Sequence, residues 1–457
     1  MKILVCVKVI NGELNPFDES ALECALGLSS DVTVISMGPK SAEDVLKPLT
    51  RLGAKAVLIS DSVFAGSDTL ATSYILSKVI QKMDYDLILC GRQSVDGDTA
   101  QVGPMLATML GVPLVTNALS VETKEGGITA NTRLGQEFLP FPALITIERG
   151  YVLRFPSIFS KLGEVEVIDN THIGCDVKKC GLSGSPTRVL ETYENQRGKR
   201  KCKFITFKEL LPLIEDLKNQ SMEKVTDGEV KSKFKSLWAV GEEVLEKARE
   251  IAEEVIVIEK TNAQTIAQKA KEEKPSVILW NADLWGRKTA PQVAALLETG
   301  LCADCTQLDK EGDNLIMYRP ARGGNIYAKI KCITNPQMAT VRTKSQSSDV
   351  IVSAGKGVID SVDKVKEFAP KIGAELAASR GMIDAGKLPY DMQVGLTGKT
   401  VSPKIYIAIG ISGAVHHTCA IEGADAVIAI NPDKDARIFD YADYGILDNF
   451  DSTMFEV

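Results

Sequence analysis

The sequence predicts an α/β protein built on several parallel sheets, and three observations carry that prediction. Short apolar runs alternate with helical patterns along most of the chain. The runs read as buried strands rather than as one-sided ones. A strand–turn–helix block also recurs at a distance, which marks a reused structural unit.

Taken in order, KILVCVK, DVTVISMG, AKAVLIS and YDLILCG read as strands, with helical spacing in SALECALGL and TLATSYILSKVIQK between them. From 128 to 160, ITANTRL, PALITIERG and YVLRFPS read as antiparallel strands added at an edge. Residues 171–203 are polar and read as an extended arm, followed by a helix at FKELLPLIEDLKN. The segment NQSMEKVTDGEVKSK (219–233) has little apolar content and reads as a linker. A second series follows: SLWAV, EEVLEKAREIAEE, VIVIEK, AQTIAQKAKEE and PSVILWN. A third contains DVIVSAG, VDKVKEFAPKIG, KIYIAIG and ADAVIAIN. The repeat pairs LILCGRQSVDGDTAQVGPMLATMLGVPLVTN with VILWNADLWGRKTAPQVAALLETGLCADCTQ through a shared Gly-Arg and Gln-Val. It predicts two related domains in pseudo-symmetry.

Of the 457 residues, 53 are Lys or Arg and 60 are Asp or Glu, a net charge of −7. With aromatics at only 6%, this argues against a general nucleic-acid binder. No run reaches the ~18–20 apolar residues of a membrane span, and MKILVCVKVI is too short for a signal peptide. Ten scattered cysteines, several inside apolar runs, read as reduced, buried thiols of a cytoplasmic protein. Cys302 and Cys305 have C-x-x-C spacing without a second pair at zinc spacing, so they too read as buried thiols.

Two regions carry chemistry. The loop Gly91–Pro104 follows a strand and opens a helix, and its glycines, hydroxyls and backbone N–H groups suit an anion or a phosphate. Asp96 and Asp98 within it are placed to hold a ribose hydroxyl or to orient the turn. The loop lacks the Gly-Lys-Ser/Thr ending of a P-loop, so ATP hydrolysis is not indicated. The alternative is a capped helix with Asp98 and Thr99 as turn residues. The second region gathers ASRGMIDAG (378–386), QVGLTGKTVSP (393–403) and GISGAVHH (410–417) within forty residues. Gly-Ile-Ser-Gly directly after a strand suits a tight turn whose amides face a pyrophosphate. His416 and His417 are two of three histidines. Neighbours on a helix point about 100° apart, and no nearby set completes a metal site, so an organic cofactor is the stronger reading. An imidazole that donates to a ring carbonyl tunes a flavin.

RPARGGN (319–325), ASRGMIDAG, MQVGLTGKTVSPKIYIAIGISGAVHH, IAINPDKDARIF and ADYGI together resemble the α subunit of electron transfer flavoproteins. VCVKVI, NPFDESALE, CGRQSVDGDTAQVGP and GLSGSPTRV resemble the β subunit. The chain resembles a β–α fusion in one polypeptide, and the resemblance is weakest at 205–255. It implies two related Rossmann-like domains and a C-terminal deoxyhypusine-synthase-like FAD-binding α/β domain. The boundaries it suggests are 1–218 for the β-like adenine-nucleotide domain with its docking arm, 219–233 for the linker, 234–345 for the α-like N-terminal domain, and 346–457 for the FAD domain.

The resemblance further implies site residues. Ser379 and Arg380 match the family's Ser-Arg beside the flavin. Val394, Gly395 and Thr397 match its Val-Gly-x-Thr, with Thr397 near flavin N5, and Gln393 just before them is a further expected contact. Ser412, Gly413, Ala414, His416 and His417 match its Ser-Gly-Ala-Ile-Gln-His. His417 is expected near flavin O2, stabilising a reduced or anionic form, and Asn431 at the adenosine half. Four positions depart: Lys356 for Arg in Gly-Arg-Gly, Leu396 for Gln, His416 for Gln, and Asp448-Asn449-Phe450 for Gly-Asp-Leu. They bear on cofactor affinity and potential more than on its identity.

In the β-like part the family binds AMP, or a second FAD in electron-bifurcating members. Cys6, Asn15, Pro16, Phe17, Asp18, Met37, Ser94, Asp96, Asp98, Thr99 and Gln101 match that pocket. The segment Asn11–Leu14 is shorter than usual there, which favours AMP over a second FAD. Leu182 in the arm is the expected anchor for a dehydrogenase; the alternative is an arm that only clasps the α-like domain. The implied function is a soluble electron carrier, not an enzyme, between a dehydrogenase and a redox acceptor. It has a swivelling C-terminal domain hinged at 340–350. Two alternatives remain open: an NADH-oxidising bifurcating form with two FADs, and a nucleotide-binding protein without redox function.

Overall fold

The computed structural model describes residues 1–194, 200–219, 232–324, 326–343, 348–395 and 398–450. The chain divides into two compact units: Met1–Thr192 with Val230–Arg322 and Ala328–Val341, and Tyr193–Glu229 with Gly323–Tyr327 and Arg342–Val457. Most of the linker reading (220–231), part of the hinge reading (344–347), Leu396 and Thr397 lie outside the described residues.

The first unit opens with β1 (Lys2–Val7), α1 (Pro16–Leu28), β2 (Asp31–Met37), β3 (Lys55–Ile59) and α2 (Thr69–Ile80). It continues with β4 (Leu87–Gly91), α3 (Val102–Leu110), β5 (Leu114–Ala118), β6 (Ala143–Ile147) and β7 (Val165–Ile168). The strands form one sheet in the order β7-β3-β2-β1-β4-β6-β5; every pairing is parallel. Alternation sends Ile3, Val5 and Val7 to the face covered by Leu22 and Ala25 of α1. Leu4 and Cys6 face Ile75 and Val79 of α2 and Leu106 of α3. Asp68 starts α2 by accepting the N–H groups of Leu70 and Ala71 at 3.0 and 3.1 Å.

The structure corrects the reading of 128–160. Residues Gly127–Thr132 do form an antiparallel strand, between Ser120–Lys124 and Gly135–Pro140. The PALITIERG run does not lie at an edge. It supplies β6, inserted in parallel between β4 and β5. The reason is its composition: every residue of Ala143–Ile147 is buried, and an apolar run without alternation suits a strand covered on both faces. Residues 151–157 form no strand. Between β1 and α1, Val9–Ile10 and Glu13–Leu14 pair antiparallel. Asn11 (φ 52°) and Gly12 (φ 83°) form the turn, the two-residue geometry that Asn-Gly favours.

The repeat is present in the topology. β8 (Phe234–Val240), β9 (Ala252–Ile258), α4 (Ala263–Glu273), β10 (Val277–Asn281), α5 (Leu284–Leu297), β11 (Leu301–Cys305) and β12 (Gln337–Val341) build a second parallel sheet. Its order, β9-β8-β10-β12-β11, repeats β2-β1-β4-β6-β5. A local signature agrees. Asn117 (φ 62°) and Asp304 (φ 57°) each stand near the end of an edge strand. Each N–H donates at 2.9 Å to a threonine hydroxyl on the next strand, Thr146 and Thr340. The shared Gly-Arg is not part of this equivalence: Gly91 ends β4, whereas Gly286-Arg287 lie inside α5. The two repeats share a core in which Leu70 and Met105 pack with Trp238 and Trp280.

The second unit contains β13 (Val350–Ala354), α6 (Val362–Lys371), β14 (Glu375–Ala378), β15 (Ile405–Ile409), β16 (Ala426–Ile430) and β17 (Tyr444–Ile446). With the short edge strand Lys203–Phe204, the sheet order is 203–204, then β17-β16-β15-β13-β14, all parallel. Residues 193–219, which the sequence reading places in the N-terminal domain, belong to this unit. The cause is the apolar stripe of helix Phe207–Asn219: Leu210, Ile214 and Leu217 pack with Val350, Val352, Val365 and Phe368. Phe450, one of the four departures, is buried in the same core and meets the Phe368 ring edge-on at 5.4 Å.

Candidate functional site

In an open parallel sheet, ligands bind outside the carboxyl ends of the strands, where the strand order switches direction. In the second unit that point lies between β13 and β15. The loop leaving β13 crosses the loop leaving β15 at backbone distance: Gly355 N–H donates to Ile409 O at 2.7 Å and Gly357 N–H to Gly410 O at 2.9 Å. A Cβ on Gly355 would stand 2.2 Å from Gly410 O, so only glycine fits. Gly413 (φ 84°) is equally constrained, its Cβ position being 2.1 Å from Ile438 N. The next loop joins the same edge. Val394 N–H donates to Ala378 O at 2.9 Å, and Gly395 passes against His416 O.

Ser379, Arg380, Gln393, Val394, Gly395, Ser412, Gly413, Ala414, His416, His417 and Asn431 thus lie on the loops and short helices that follow the strands of this sheet. Ser412, Ala414 and His416 are exposed, while Gly413, Val415 and His417 are buried. The paired imidazoles therefore meet different environments. Asn431 is buried, donates to Ile411 O and accepts from Asp433 N–H, both at 2.9 Å. Arg380 lies along its own short helix, with Nε 3.0 Å from Asp384. Lys356 is exposed, with its stem beside Gly381. Asn449 is exposed beyond β17.

His417 is the chemically distinctive group. Its Nε2 lies 2.9 Å from the Tyr406 hydroxyl. Its Nδ1 is buried and has no hydrogen-bond partner among the described residues. Burial lowers its pKa to about 4, against a smaller opposing effect of the Val394 backbone, so the ring is neutral near pH 7. A buried, unpaired ring nitrogen costs free energy unless a ligand meets it. Together with loops too close for any side chain, it fits an organic cofactor such as FAD. Tyr406 lies inside the KIYIAIG strand but has no role in the sequence analysis, where it reads only as one apolar position of a strand.

The first unit presents the same corner between β1 and β4. Asp18 is buried there and accepts Lys8 N–H at 2.7 Å and Gly91 N–H at 3.1 Å. Burial raises its pKa to about 7. Gly91 is needed, since its Cβ would stand 2.2 Å from the Asp18 carboxylate. Asn15 donates to Gln93 O at 2.9 Å and accepts Val95 N–H at 3.2 Å. Asp96 pairs with Lys8 at 2.7 Å. Burial raises its pKa, but the Lys8 hydrogen bond and charge outweigh this and hold it below the usual range. Asp98 (φ 53°) takes the Gln93 amide at 2.9 Å and shapes the turn. Cys6, Phe17 and Gln101 are buried, and Pro16, Met37, Ser94 and Thr99 half-buried, around the same loops.

Arg319 and the Arg92–Glu148–Arg133 cluster carry no role in the sequence analysis. Arg319, inside the RPARGGN motif, is buried and donates to Gly97 O at 2.6 Å and Asp98 O at 3.1 Å. The second repeat thereby holds the loop of the first. Arg92 and Arg133 flank buried Glu148, Arg133 at 3.5 Å. Buried charges this far apart in sequence leave no local pattern. Leu182 is 63% exposed on the short helix Gly181–Gly184, with Val177, Val189 and Leu190 also exposed nearby. Cys302 and Cys305 are free and buried in β11. Among the described residues, no helix is long and apolar enough to cross a membrane.

Two family models match the chain. The electron transfer flavoprotein domain matches residues 3–150 and 258–367, and the electron transfer flavoprotein FAD-binding domain matches 345–422. The chain is 40% identical over 232 residues to electron transfer flavoprotein subunit alpha of Thermoanaerobacterium thermosaccharolyticum, covering 40% of this chain and 70% of that one. It is 42% identical over 195 residues to subunit beta of the same organism, covering 39% and 75%. It is 37% identical over 235 residues to subunit beta of Megasphaera elsdenii, covering 42% and 87%. The alpha and beta matches fall on different halves of the chain.

Proposed function

The chain belongs to the electron transfer flavoprotein family, and from that premise we propose that it carries electrons on one FAD between a dehydrogenase and a second redox protein. The bound flavin supplies the electron-carrying chemistry. The observation that carries the reading is the carboxyl edge of the second unit, where glycine loops cross and Gly395 passes the His416-His417 backbone, with the His417 Nδ1 unpaired among the described residues.

In this reading the chain's own residues hold and tune. The Gly355–Gly357 and Gly410–Gly413 loops pack backbone against backbone at this edge, and in this reading their outward-facing backbone groups meet the cofactor. His417, neutral, offers a ring nitrogen to a carbonyl oxygen without bringing a charge. Asn431 and Lys356 lie on the same edge as partners for the nucleotide half. Thr397 is proposed as a further contact from the resemblance alone.

For the first unit we propose AMP rather than a second FAD. The tight Asn11-Gly12 turn leaves no long cover over the β1–β4 corner, and a flavin needs a larger, mostly enclosed pocket. Leu182 is proposed to anchor the dehydrogenase, since an exposed leucine among other exposed apolar side chains is suited to a partner.

The test is the flavin-to-protein ratio of the purified chain, with the extracted nucleotides identified. One FAD and one AMP per chain is expected. Two FADs would replace the AMP proposal with the bifurcating alternative. A chain that neither holds nor takes up FAD would overturn the carrier reading.

A further inference from the structure

Tyr406 and His417 form an isolated buried pair. Tyr406 is fully buried in β15, with Ile351, Ala408 and Val427 in the same cluster. Its hydroxyl meets His417 Nε2 at 2.9 Å. Burial holds the phenol well above its ordinary pKa, with the Ser353 hydroxyl acting weakly the other way, so the proton stays on oxygen. That proton needs an acceptor, because an orphaned buried donor costs about 1–3 kcal/mol.

Two arrangements are conceivable. Tyr406 donates to Nε2, and the imidazole proton then resides on Nδ1. Alternatively Nε2–H donates to the phenol oxygen, and the phenol proton must find another partner. Ser353 is the neighbouring hydroxyl, and its pull on the phenol is weak because it does not reach full hydrogen-bond geometry, so it is a poorer acceptor than Nε2. Only the first arrangement satisfies the phenol. A neutral imidazole has one N–H and one bare nitrogen, and the partner of one decides the identity of the other.

We propose that Tyr406 is a positioning residue that fixes the tautomer of His417, making the unpaired Nδ1 an N–H donor aimed at its ligand. That the ligand is a flavin rests on the reading above; the tautomer does not. The carbonyl side of a flavin ring is a hydrogen-bond acceptor, so the device presents a donor where a bare nitrogen would repel. It does so without a formal charge.

The test uses the full chain labelled with 15N-histidine. With three histidines in the chain, His172→Gln and His416→Gln assign the spectrum. In the flavin-free wild type, His417 should show a protonated Nδ1 and an unprotonated Nε2 at pH 7. Tyr406→Phe should lose that single pattern and show a mixture, or the reverse tautomer. A wild-type Nε2–H tautomer, or an unchanged pattern in Tyr406→Phe, overturns the proposal. Should Tyr406→Phe fail to fold, the wild-type spectrum decides alone. Added FAD separates the two readings: an Nδ1–H tautomer whose signal FAD leaves unmoved supports Tyr406 as the positioning residue and removes the flavin as its purpose.

Discussion

Replacing Gly355 by alanine tests the crossed loops with one methyl group. Its backbone (φ −102°, ψ 171°) is open to any residue, so the change acts by sterics alone. The new Cβ would lie 2.2 Å from Gly410 O and 2.5 Å from Gly410 C. Ordinary contact is about 3.5 Å, so the loops must part by about 1 Å. That movement breaks or stretches the bonds from Gly355 N–H and Gly357 N–H, 2.7 and 2.9 Å long. At about 1 kcal/mol each, with residual strain of similar size, the cost is about 2–4 kcal/mol. For a unit of this size, that lowers Tm by roughly 5–12 °C. The same shift moves both backbone walls of the proposed cofactor site, so flavin occupancy should fall at least tenfold. Thermal unfolding and the flavin-to-protein ratio read the two effects. Gly381→Ala is the control, because its Cβ meets only the flexible Lys356 side chain, at ordinary contact distances of 3.5–3.9 Å. A Gly355→Ala chain with wild-type Tm and flavin content would refute the close-approach argument.

Three other outcomes are expected. Glu148→Gln leaves Arg92 and Arg133 without their shared carboxylate. It should destabilise the first unit by about 3–5 kcal/mol in urea unfolding, and a change under 1 kcal/mol would contradict the charged role. Leu182→Ala should weaken binding to a dehydrogenase donor at least tenfold while leaving flavin content unchanged; equal binding assigns the arm to another task. The two buried titratable groups should oppose each other in pH. His417, lowered to about 4 by burial, binds fewer protons folded than unfolded. The second unit should therefore lose about 3 kcal/mol as pH falls from about 6.5 to 4. Asp18, raised to about 7 by burial, binds more protons folded, so the first unit loses stability as pH rises from about 4 to 7. Unfolding curves against pH for wild type, His417→Gln and Asp18→Asn check both signs, and parallel curves would contradict them.

The sequence by itself determined the α/β class, most strands, the repeat and the glycine loops after the strands. Those features are local: an apolar run of strand length, or a glycine directly after it, announces itself within a few residues. Tertiary structure alone decided what depends on which surfaces meet. The run at 143–147 became a central parallel strand because both its faces find partners. The helix 207–219 joined the second unit because its apolar stripe fits that core. Arg319 closes the loop at 97–98, and Glu148 holds Arg92, across long separations in sequence. Tyr406 looked like any apolar strand position until the fold set its hydroxyl against His417. Pairing of buried polar groups depends on three-dimensional distance, and a chain read in order carries no record of it.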